Sequence, residues 1–264
     1  MSTLLILLVL VLTFILVNKK STFVNIQRVH IVSFSYNCCR LAQENLERSA
    51  KMYGATNVYS LTLDTLDAPE HIKEQIRTHK RGAGYWVWKP YAIKQVLNQS
   101  NPDDIIIYVD SSTYFNKPME NIINFINKNG VLAFKHGFID PLTGQPHYQR
   151  NWTKMDAVSY FGYLSDWCSK DGLNEQLMAG FIGIKNNAIG KDLINYWLES
   201  LQDIHLYDDT PSILPNCQGF TESRHDQQML SMILYKTGIQ FPDYNKEFYG
   251  WIWHEKVNGQ NRHL

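Results

Sequence analysis

The chain has 264 residues, of which 44% are hydrophobic and 13% aromatic, and its 25 Lys and Arg balance its 25 Asp and Glu. This length supports one substantial core rather than two, and the balanced charge excludes a global electrostatic attraction to nucleic acid. We therefore expect one globular domain, no nucleic acid among its partners, and phosphate binding only at local sites.

An uncharged apolar segment runs from Thr3 to Val17, and Lys19 and Lys20 follow it. At 1.5 Å per residue, residues 1–18 reach about 27 Å, which is enough for a thin bilayer core. We expect a single-pass anchor over residues 1–20 and a globular domain over residues 21–264, with a cleaved signal peptide as the alternative.

The side of the membrane stays open at this point. The lysines after the anchor favour a cytosolic domain by the positive-inside rule, whereas two glycosylation sequons, at Asn98 and Asn151, suit a lumenal one.

Four cysteines are present, and none has the paired spacing of a zinc site. We interpret them as small buried hydrophobes, and we expect no bond between the adjacent Cys38 and Cys39. The four are Cys38, Cys39, Cys168 and Cys217.

Apolar runs that alternate with helical patterns follow the anchor. The predicted strands are Val29 to Phe34, Asn57 to Leu63, Ile105 to Val109, Val131 to Phe134 and Leu177 to Ile184. The predicted helices are Arg40 to Tyr53, those opened by Pro69, Pro90 and Pro118, Ile189 to Leu201, and Asp226 to Lys236. This alternation predicts an α/β domain with a largely parallel sheet covered on both faces. Residues 137–171 have weak periodicity, and we expect loops there that set specificity.

Asp110 directly follows the apolar strand Ile105 to Val109. In open parallel sheets, ligands bind beyond the carboxyl ends of the strands, so a carboxylate here is expected to point into the site. A turn or cap residue is the alternative interpretation of the same acid.

An aromatic, glycine-rich segment, Arg81 to Tyr91 (RGAGYWVWKPY), precedes that strand. Together with Asp110 it resembles a pattern in poorly characterised GT-A-like glycosyltransferases of viruses, bacteria and eukaryotes. Glycines let the backbone approach a diphosphate, and aromatic faces stack on a base or sugar. Trp86 and Trp88 equally suit core packing at strand spacing, and Lys89, which precedes a proline, is expected to be extended, either binding phosphate or solvated.

The resemblance implies a GT-A fold, a Rossmann-like, mostly parallel sheet flanked by helices, and a nucleotide-diphosphate-sugar donor. Asp110 would hold the diphosphate through Mn²⁺ or Mg²⁺, although Ser112 stands where the family has a carboxylate. His254 is the candidate C-terminal metal ligand, with His263 in reserve. The implied donor-binding residues are Ser33, Phe34, Tyr36, Asp64, Arg81, Tyr85, Trp86, Lys89, Asp110, Ser111 and Ser112.

Two later segments resemble the acceptor side of the same family. Asp226 lies where such enzymes place an acidic residue that contacts the acceptor or acts as the catalytic base. A capping box formed by Ser223 and Asp226 is the alternative. The implied acceptor-binding residues are Ala179, Gly180, His225, Asp226 and Gln227.

We therefore expect transfer of a sugar from a nucleotide-diphosphate donor to a glycan, protein or lipid acceptor, with Asp110 and Asp226 as the catalytic residues. The expected location is a membrane of the secretory pathway or of a viral factory. A noncatalytic sugar-binding protein on the same fold is the alternative, since Ser112 replaces an acid. A dinucleotide oxidoreductase is excluded, because no GxGxxG follows the first strand.

Overall fold

The computed structural model describes residues 26–254, apart from residues 138, 140–143 and 145. The predicted anchor, His263 and the side chain of His254 lie outside the described residues. Within the described range, no helix combines the length and the apolar character needed to cross a bilayer.

The strands are, in chain order, β1 (Val29–Phe34), β2 (Asn57–Leu61), β3 (Ile105–Val109), β4 (Thr113–Phe115), β5 (Val131–Leu132), β6 (Phe181–Lys185) and β7 (Ile252–His254). A five-stranded sheet has the order β2-β1-β3-β6-β5, and β4 and β7 form a separate antiparallel pair. β1 pairs in parallel with β2 and β3, whereas β6 is antiparallel to β3 and β5. The sheet is thus mostly parallel, as predicted, with one reversed strand that the alternation of elements does not reveal.

The helices are α1 (Arg40–Met52), α2 (Glu70–Thr78), α3 (Gly82–Tyr85), α4 (Lys89–Gln99), α5 (Glu120–Asn129), α6 (Met155–Tyr160), α7 (Ala188–Ser200), α8 (His225–Tyr235) and α9 (Tyr244–Glu247). Most begin close to the predicted positions. Pro69 precedes α2 as its N-cap, and α5 begins two residues after Pro118.

Two hydrophobic cores cover the two faces of the sheet. Ile106 and Tyr108 of β3 pack in the core that includes α2, α4, α7 and α8, whereas Ile105 and Ile107 pack in the core of α1 and α5. Because alternate residues of a strand share a face, Asp110 follows Tyr108 toward the side of α4 and α8. The direction of this acid is therefore set by the register of β3.

The interpretation of the cysteines as buried hydrophobes is wrong. Cys168 is bonded to Cys217, and the adjacent Cys38 and Cys39 are bonded to each other. Cys38 and Cys168 are exposed, and only Cys217 among the four is buried. Sequence spacing does not reveal the bond between Cys168 and Cys217, because loop packing brings together residues separated by 49 positions.

Candidate functional site

Three segments that are distant in sequence meet at the carboxyl end of β3. Asp110 follows β3, Lys89 is the first residue of α4, and Asp226 is the second residue of α8. In α/β sheets this end of the strands is where ligands bind. The fold therefore brings the two predicted catalytic acids and one predicted donor-binding cation to the same place.

The ammonium group of Lys89 lies between the two acids. Its Nζ is 2.6 Å from Asp226 Oδ2 and 3.5 Å from Asp110 Oδ1, and it donates a hydrogen bond to the Ala179 carbonyl at 3.0 Å. The Tyr108 ring lies 5.4 Å from Nζ, within the range of a cation–π contact. Only 2% of Lys89 is exposed, so this charge belongs to the interior of the site.

The expectation that Lys89 is extended is wrong, and so is the alternative that its side chain is solvated, whereas its binding of donor phosphate stays a prediction. Lys89 is already helical, and its backbone N–H donates to the Trp86 carbonyl at 3.1 Å. A residue before proline normally avoids the helical region, but here the buried ion pairs and this hydrogen bond outweigh that preference. Its ammonium group forms ion pairs with Asp110 and Asp226.

The charges of this cluster are unequal, since one ammonium serves two carboxylates. Burial acts to lower the pKa of Lys89, but the attraction of Asp110 and Asp226 outweighs burial and raises that pKa, so Lys89 stays charged. Burial raises the pKa of Asp226 to about 6, against the opposing effect of Lys89. An acid with a pKa near neutrality is suited to accept a proton during catalysis.

Asp110 is the more open of the two acids. Its side chain is 21% exposed, compared with 6% for Asp226. The Tyr108 hydroxyl donates to Asp110 Oδ1 at 2.6 Å, and the Asp110 N–H donates to the Gly180 carbonyl at 3.0 Å. Ser111 and Ser112, also predicted to bind the donor, are half-buried directly after Asp110. Asp110 is thus held in place and still accessible to a ligand.

The residues described at this end of the sheet do not fit a divalent metal ion. Asp110 already accepts from Tyr108 and faces an ammonium group 3.5 Å away, which would repel a second cation. Among the described residues, no group of three or more His, Cys, Asp or Glu side chains is arranged to hold a metal. Ser112 adds one hydroxyl oxygen, which with a single carboxylate is a sparse ligand set for Mn²⁺ or Mg²⁺.

The segment before Lys89 is a left-handed turn, so the predicted strand spacing of Trp86 and Trp88 is wrong. Five consecutive residues, 82–86, have φ between 48° and 85°. Side chains make this conformation costly, which explains the two glycines. A Cβ on Gly84 would also lie 2.9 Å from the Gln75 carbonyl, so this glycine is required by space as well.

The left-handed turn directs its two aromatic rings onto His225. The Tyr85 and Trp86 rings lie 5.3 and 5.4 Å from the His225 ring, between centroids. Trp88, by contrast, is buried in the core and packs on Phe34 at 4.3 Å. Trp86, predicted to bind the donor, is therefore half-buried beside α8, whereas Trp88 has a structural role in the core.

Arg81 pairs with acids that the sequence did not single out. It donates hydrogen bonds to Asp209 at 2.9 Å and to Glu222 at 3.3 Å. These partners lie in the segment before α8, so the structure directs Arg81 toward that segment rather than toward Asp110. No local pattern marks Asp209 or Glu222, because their role depends on loop packing.

His225 connects the segment before α8 to Asp226. Its φ of 49° is unusual for a residue with a side chain and marks local strain. Its ring Nδ1 hydrogen-bonds the Tyr207 carbonyl at 2.6 Å, so Nδ1 carries the proton. Burial lowers the pKa of His225, which favours the neutral ring.

The residues predicted at the ends of β1 and β2 are placed differently from one another. Ser33 accepts a hydrogen bond from a glutamine of α1, and Phe34 packs against Trp88, so both side chains are committed to the core. Tyr36 is partly buried at the core edge, and Asp64 is exposed. Their contact with a nucleotide stays a prediction.

The predicted strand from Leu177 begins only at Phe181, because Ala179 and Gly180 form a turn. The carbonyls of this turn bind Lys89 and Asp110, so the turn forms one wall of the site. Gln227 is half-buried, and its side chain donates to Gln176 at 3.3 Å. The acceptor-binding roles of these residues stay predictions.

Comparisons with known proteins give only weak structural similarities. No family model matches the sequence, and no curated protein matches it. Three similar solved structures are the apo bifunctional glycosyltransferase WbbM, the apo form of mouse xyloside xylosyltransferase 1, and the apo glycosyltransferase GlyE of Streptococcus pneumoniae TIGR4.

Their identities to this chain are 12%, 11% and 15%, and their TM-scores are 0.44, 0.42 and 0.40. The matches cover 83%, 87% and 82% of this chain, and 39%, 98% and 45% of those proteins. The chain thus spans less than two thirds of WbbM and of GlyE. With TM-scores below 0.5, these likenesses leave the assignment of function to the residues of the site.

Proposed function

We propose that this protein is a glycosyltransferase that moves a sugar from a nucleotide-diphosphate donor to an acceptor hydroxyl. The observation that carries the proposal is the buried Lys89 ammonium between an open acid, Asp110, and a buried acid, Asp226, at the carboxyl end of the central strand. The Arg81 to Tyr91 segment, which resembles GT-A-like transferases, supplies the lysine of this cluster.

In the proposed reaction, the acceptor oxygen forms a bond to the anomeric carbon as the bond from that carbon to the donor phosphate breaks. The nucleoside diphosphate leaves with the electron pair. In an inverting enzyme, Asp226 takes the proton of the acceptor hydroxyl, which its pKa of about 6 permits. In a retaining enzyme, the leaving phosphate takes that proton and Asp226 positions the acceptor.

Asp110 is placed to orient the donor, because it is rigidly held and reachable. Lys89 offsets the negative charge of both acids, which reduces their repulsion of a diphosphate. Mn²⁺ or Mg²⁺, expected from the resemblance, would add positive charge at the diphosphate if bound. Because the described ligand set is sparse, we assign no step to it and treat metal dependence as a quantity to be measured.

The membrane anchor over residues 1–20, and a glycan, protein or lipid acceptor, belong to the same proposal. Membrane attachment rests on the apolar Thr3 to Val17 segment. Expression of the full chain followed by carbonate extraction tests it, and release into the soluble fraction contradicts it.

The test of the catalytic proposal is a screen of nucleotide sugars against the full chain, with Mn²⁺ and with EDTA. We expect one donor to raise the melting temperature and to be hydrolysed slowly in the absence of an acceptor. The Asp110→Asn variant should fold and lose both effects. Stabilisation by a donor without hydrolysis or transfer would instead favour the noncatalytic sugar-binding alternative, which Ser112 suggests. No stabilisation by any donor at millimolar concentration would contradict both functions.

A further inference from the structure

A cleft lies on the acceptor side of the site, formed by the segments 209–216 and 220–223 with Lys154 beneath them. Its volume is about 460 Å³. Two of its lining residues, Asp209 and Glu222, bind Arg81, and Asp209 also lies 3.6 Å from the ring of His225. His225 directly precedes Asp226, so Asp209 connects the cleft to the residue next to the acid proposed to receive the acceptor proton.

The wall of the cleft is irregular in structure, and half-buried Asp156 organises it. Asp156 accepts hydrogen bonds from the Ser212 hydroxyl at 2.8 Å and from the backbone N–H groups of Ile213 and Leu214 at 2.8 and 2.9 Å. These bonds and that of His205 outweigh the effect of burial and lower the pKa of Asp156, so it stays ionised.

Two further contacts hold the same wall. Lys154, only 2% exposed, donates to Asp208 and to the His205 carbonyl, each at 2.7 Å. The Cys168–Cys217 disulfide connects the wall to the segment after α6. A loop that is held this firmly loses little conformational entropy when a ligand binds. We interpret this wall as a preformed binding surface.

The lining of the cleft combines carboxylates and hydroxyls with apolar surface. Phe220 and Leu214 supply apolar area beside the two acids, and Ile213 is 82% exposed at the rim. Saccharides suit such a lining, because their C–H faces pack on apolar groups while their hydroxyls donate to carboxylates. Arg81 is already paired with Asp209 and Glu222, so its guanidinium group is not free to bind an anionic ligand in the cleft.

An unpartnered buried atom points to the same kind of ligand. His225 is 2% exposed, and among the described residues its Nε2 has no hydrogen-bond partner. With the proton on Nδ1, Nε2 is an acceptor, and it faces Asp209 Oδ1, which is also an acceptor. Asp209 Oδ1 already accepts from Arg81 at 2.9 Å, so among the described residues Nε2 is the acceptor that still lacks a donor, and a ligand hydroxyl supplies one.

We propose that this cleft is the acceptor subsite and that it selects a neutral saccharide, whose hydroxyls donate to Asp209 and Glu222 and whose apolar face packs on Phe220. The proposal rests on the proposed transferase function and adds the location and the chemical class of the acceptor. Residues 137–171, expected to set acceptor specificity, contribute Lys154 and the supporting Asp156, whereas most of the lining comes from the segment before α8.

The experiment uses the full chain, the donor found in the screen, and a panel of neutral methyl glycosides matched with the corresponding methyl uronides. Asp209→Asn, Glu222→Gln and Phe220→Ala are compared with Asp192→Asn, which changes an exposed acid on α7. We expect the two acid variants to raise the acceptor KM about tenfold or more, and Phe220→Ala to raise it about threefold. Acceptor kcat should change by a smaller factor than the acceptor KM, and Asp192→Asn should leave KM, kcat and donor hydrolysis within about twofold of the wild type.

Donor hydrolysis and melting temperature separate the possible failures. If hydrolysis persists in correctly folded variants but the acceptor KM is unchanged, the cleft proposal is wrong and the transferase function stands. Preference for uronides, or no neutral glycoside accepted by an enzyme that hydrolyses its donor, also overturns the cleft proposal. If the wild type binds and hydrolyses no donor, the transferase function itself fails, and the acceptor subsite fails with it.

Discussion

The two ends of strand β3 each carry a buried or half-buried aspartate, and the two acids have opposite surroundings. Asp104, before the strand, accepts hydrogen bonds from the N–H groups of Arg28 and Asn101, both at 2.9 Å, and pairs with His30 at 3.0 Å. Asp110, after the strand, shares one ammonium with Asp226. The same strand therefore begins at a closed polar network and ends at an incomplete one.

The difference shows that burial of an acid does not by itself indicate function. Burial acts to raise the pKa of Asp104, but its hydrogen bonds outweigh burial and lower that pKa, so its charge is fully stabilised inside the protein. Asp226 Oδ2 lies close to Lys89 but, among the described residues, has no well-aligned hydrogen bond. A buried acid with unmet hydrogen-bonding capacity is the better candidate for binding or proton transfer.

The largest effect is expected from Lys89→Met, which removes the cation that lies between Asp110 and Asp226. Breaking a buried ion pair leaves uncompensated charge, so we expect the free energy of unfolding to fall by about 3–5 kcal/mol at pH 8. Urea denaturation measures this loss, and transfer activity should be abolished.

The loss should be smaller at pH 5, where Asp226 is protonated and carries no charge. Lys94→Met, a change on the same helix at a lysine that contacts Asn195, is the control and should cost less than about 1 kcal/mol. Equal losses in the two variants would contradict a special role for Lys89.

The next prediction compares the same substitution, Asp to Asn, at the two ends of β3. Asp104→Asn places an amide N–H₂ against backbone N–H donors, and leaving those groups unpaired should cost about 1–3 kcal/mol of stability. The folded fraction should keep full activity. Asp110→Asn should lose at least about 100-fold in kcat/KM, with a melting temperature close to that of the wild type.

Thermal unfolding and initial rates are measured on the same preparations of Asp104→Asn and Asp110→Asn. Loss of activity in Asp104→Asn beyond its unfolded fraction, or wild-type activity in Asp110→Asn, would contradict the assignment of the two ends.

The two ends should also respond to pH in opposite ways. The folded-state pKa of Asp226 is raised to about 6, so the folded protein binds the proton of this acid more tightly than the unfolded chain does. The resulting contribution to the free energy of unfolding is fully present below about pH 4 and is lost as pH rises through about 6. Because the pKa of Asp104 is lowered, its contribution is present above about pH 4 and is lost as pH falls.

For an inverting enzyme, in which Asp226 acts as the base, kcat/KM should rise with pH through about 6 and then level. A pH–rate profile from pH 4.5 to 9 checks this prediction. The residual activity of Asp226→Asn should show no such rise, and a rise that persists in this variant would assign the titration to another group.

The smallest effect concerns the left-handed turn near the carboxyl end of β3. Gly84→Ala introduces a Cβ at φ 85° and 2.9 Å from the Gln75 backbone, whereas Gly238→Ala places one at φ 72° in open space. We expect Gly84→Ala to cost at least about 1 kcal/mol more than Gly238→Ala, because overpacking adds to the strain that both variants share. Chemical denaturation of the two variants compares them, and equal costs would contradict a close fit at Gly84.

Much of the fold is predictable from local pattern. The apolar runs of β1 and β3, the helix through Val96 and the position of Asp110 follow from periodicity and from short-range signals such as Pro90. The reversal of β6 is not predictable in this way, because an apolar strand reads the same in both directions. The left-handed turn is also hidden, since its aromatic residues suit a strand equally well.

The sequence by itself determined that an acid ends a buried strand, that a glycine-rich aromatic segment precedes it, and that a further acid begins a late helix. These properties depend on neighbours in the chain, so they are readable before folding. Only the tertiary structure decided that Lys89 stands between the two acids, that Arg81 faces Asp209 instead, and that a disulfide-held cleft adjoins His225. Such pairings depend on how helices and loops pack across the sheet, and no local pattern encodes that packing.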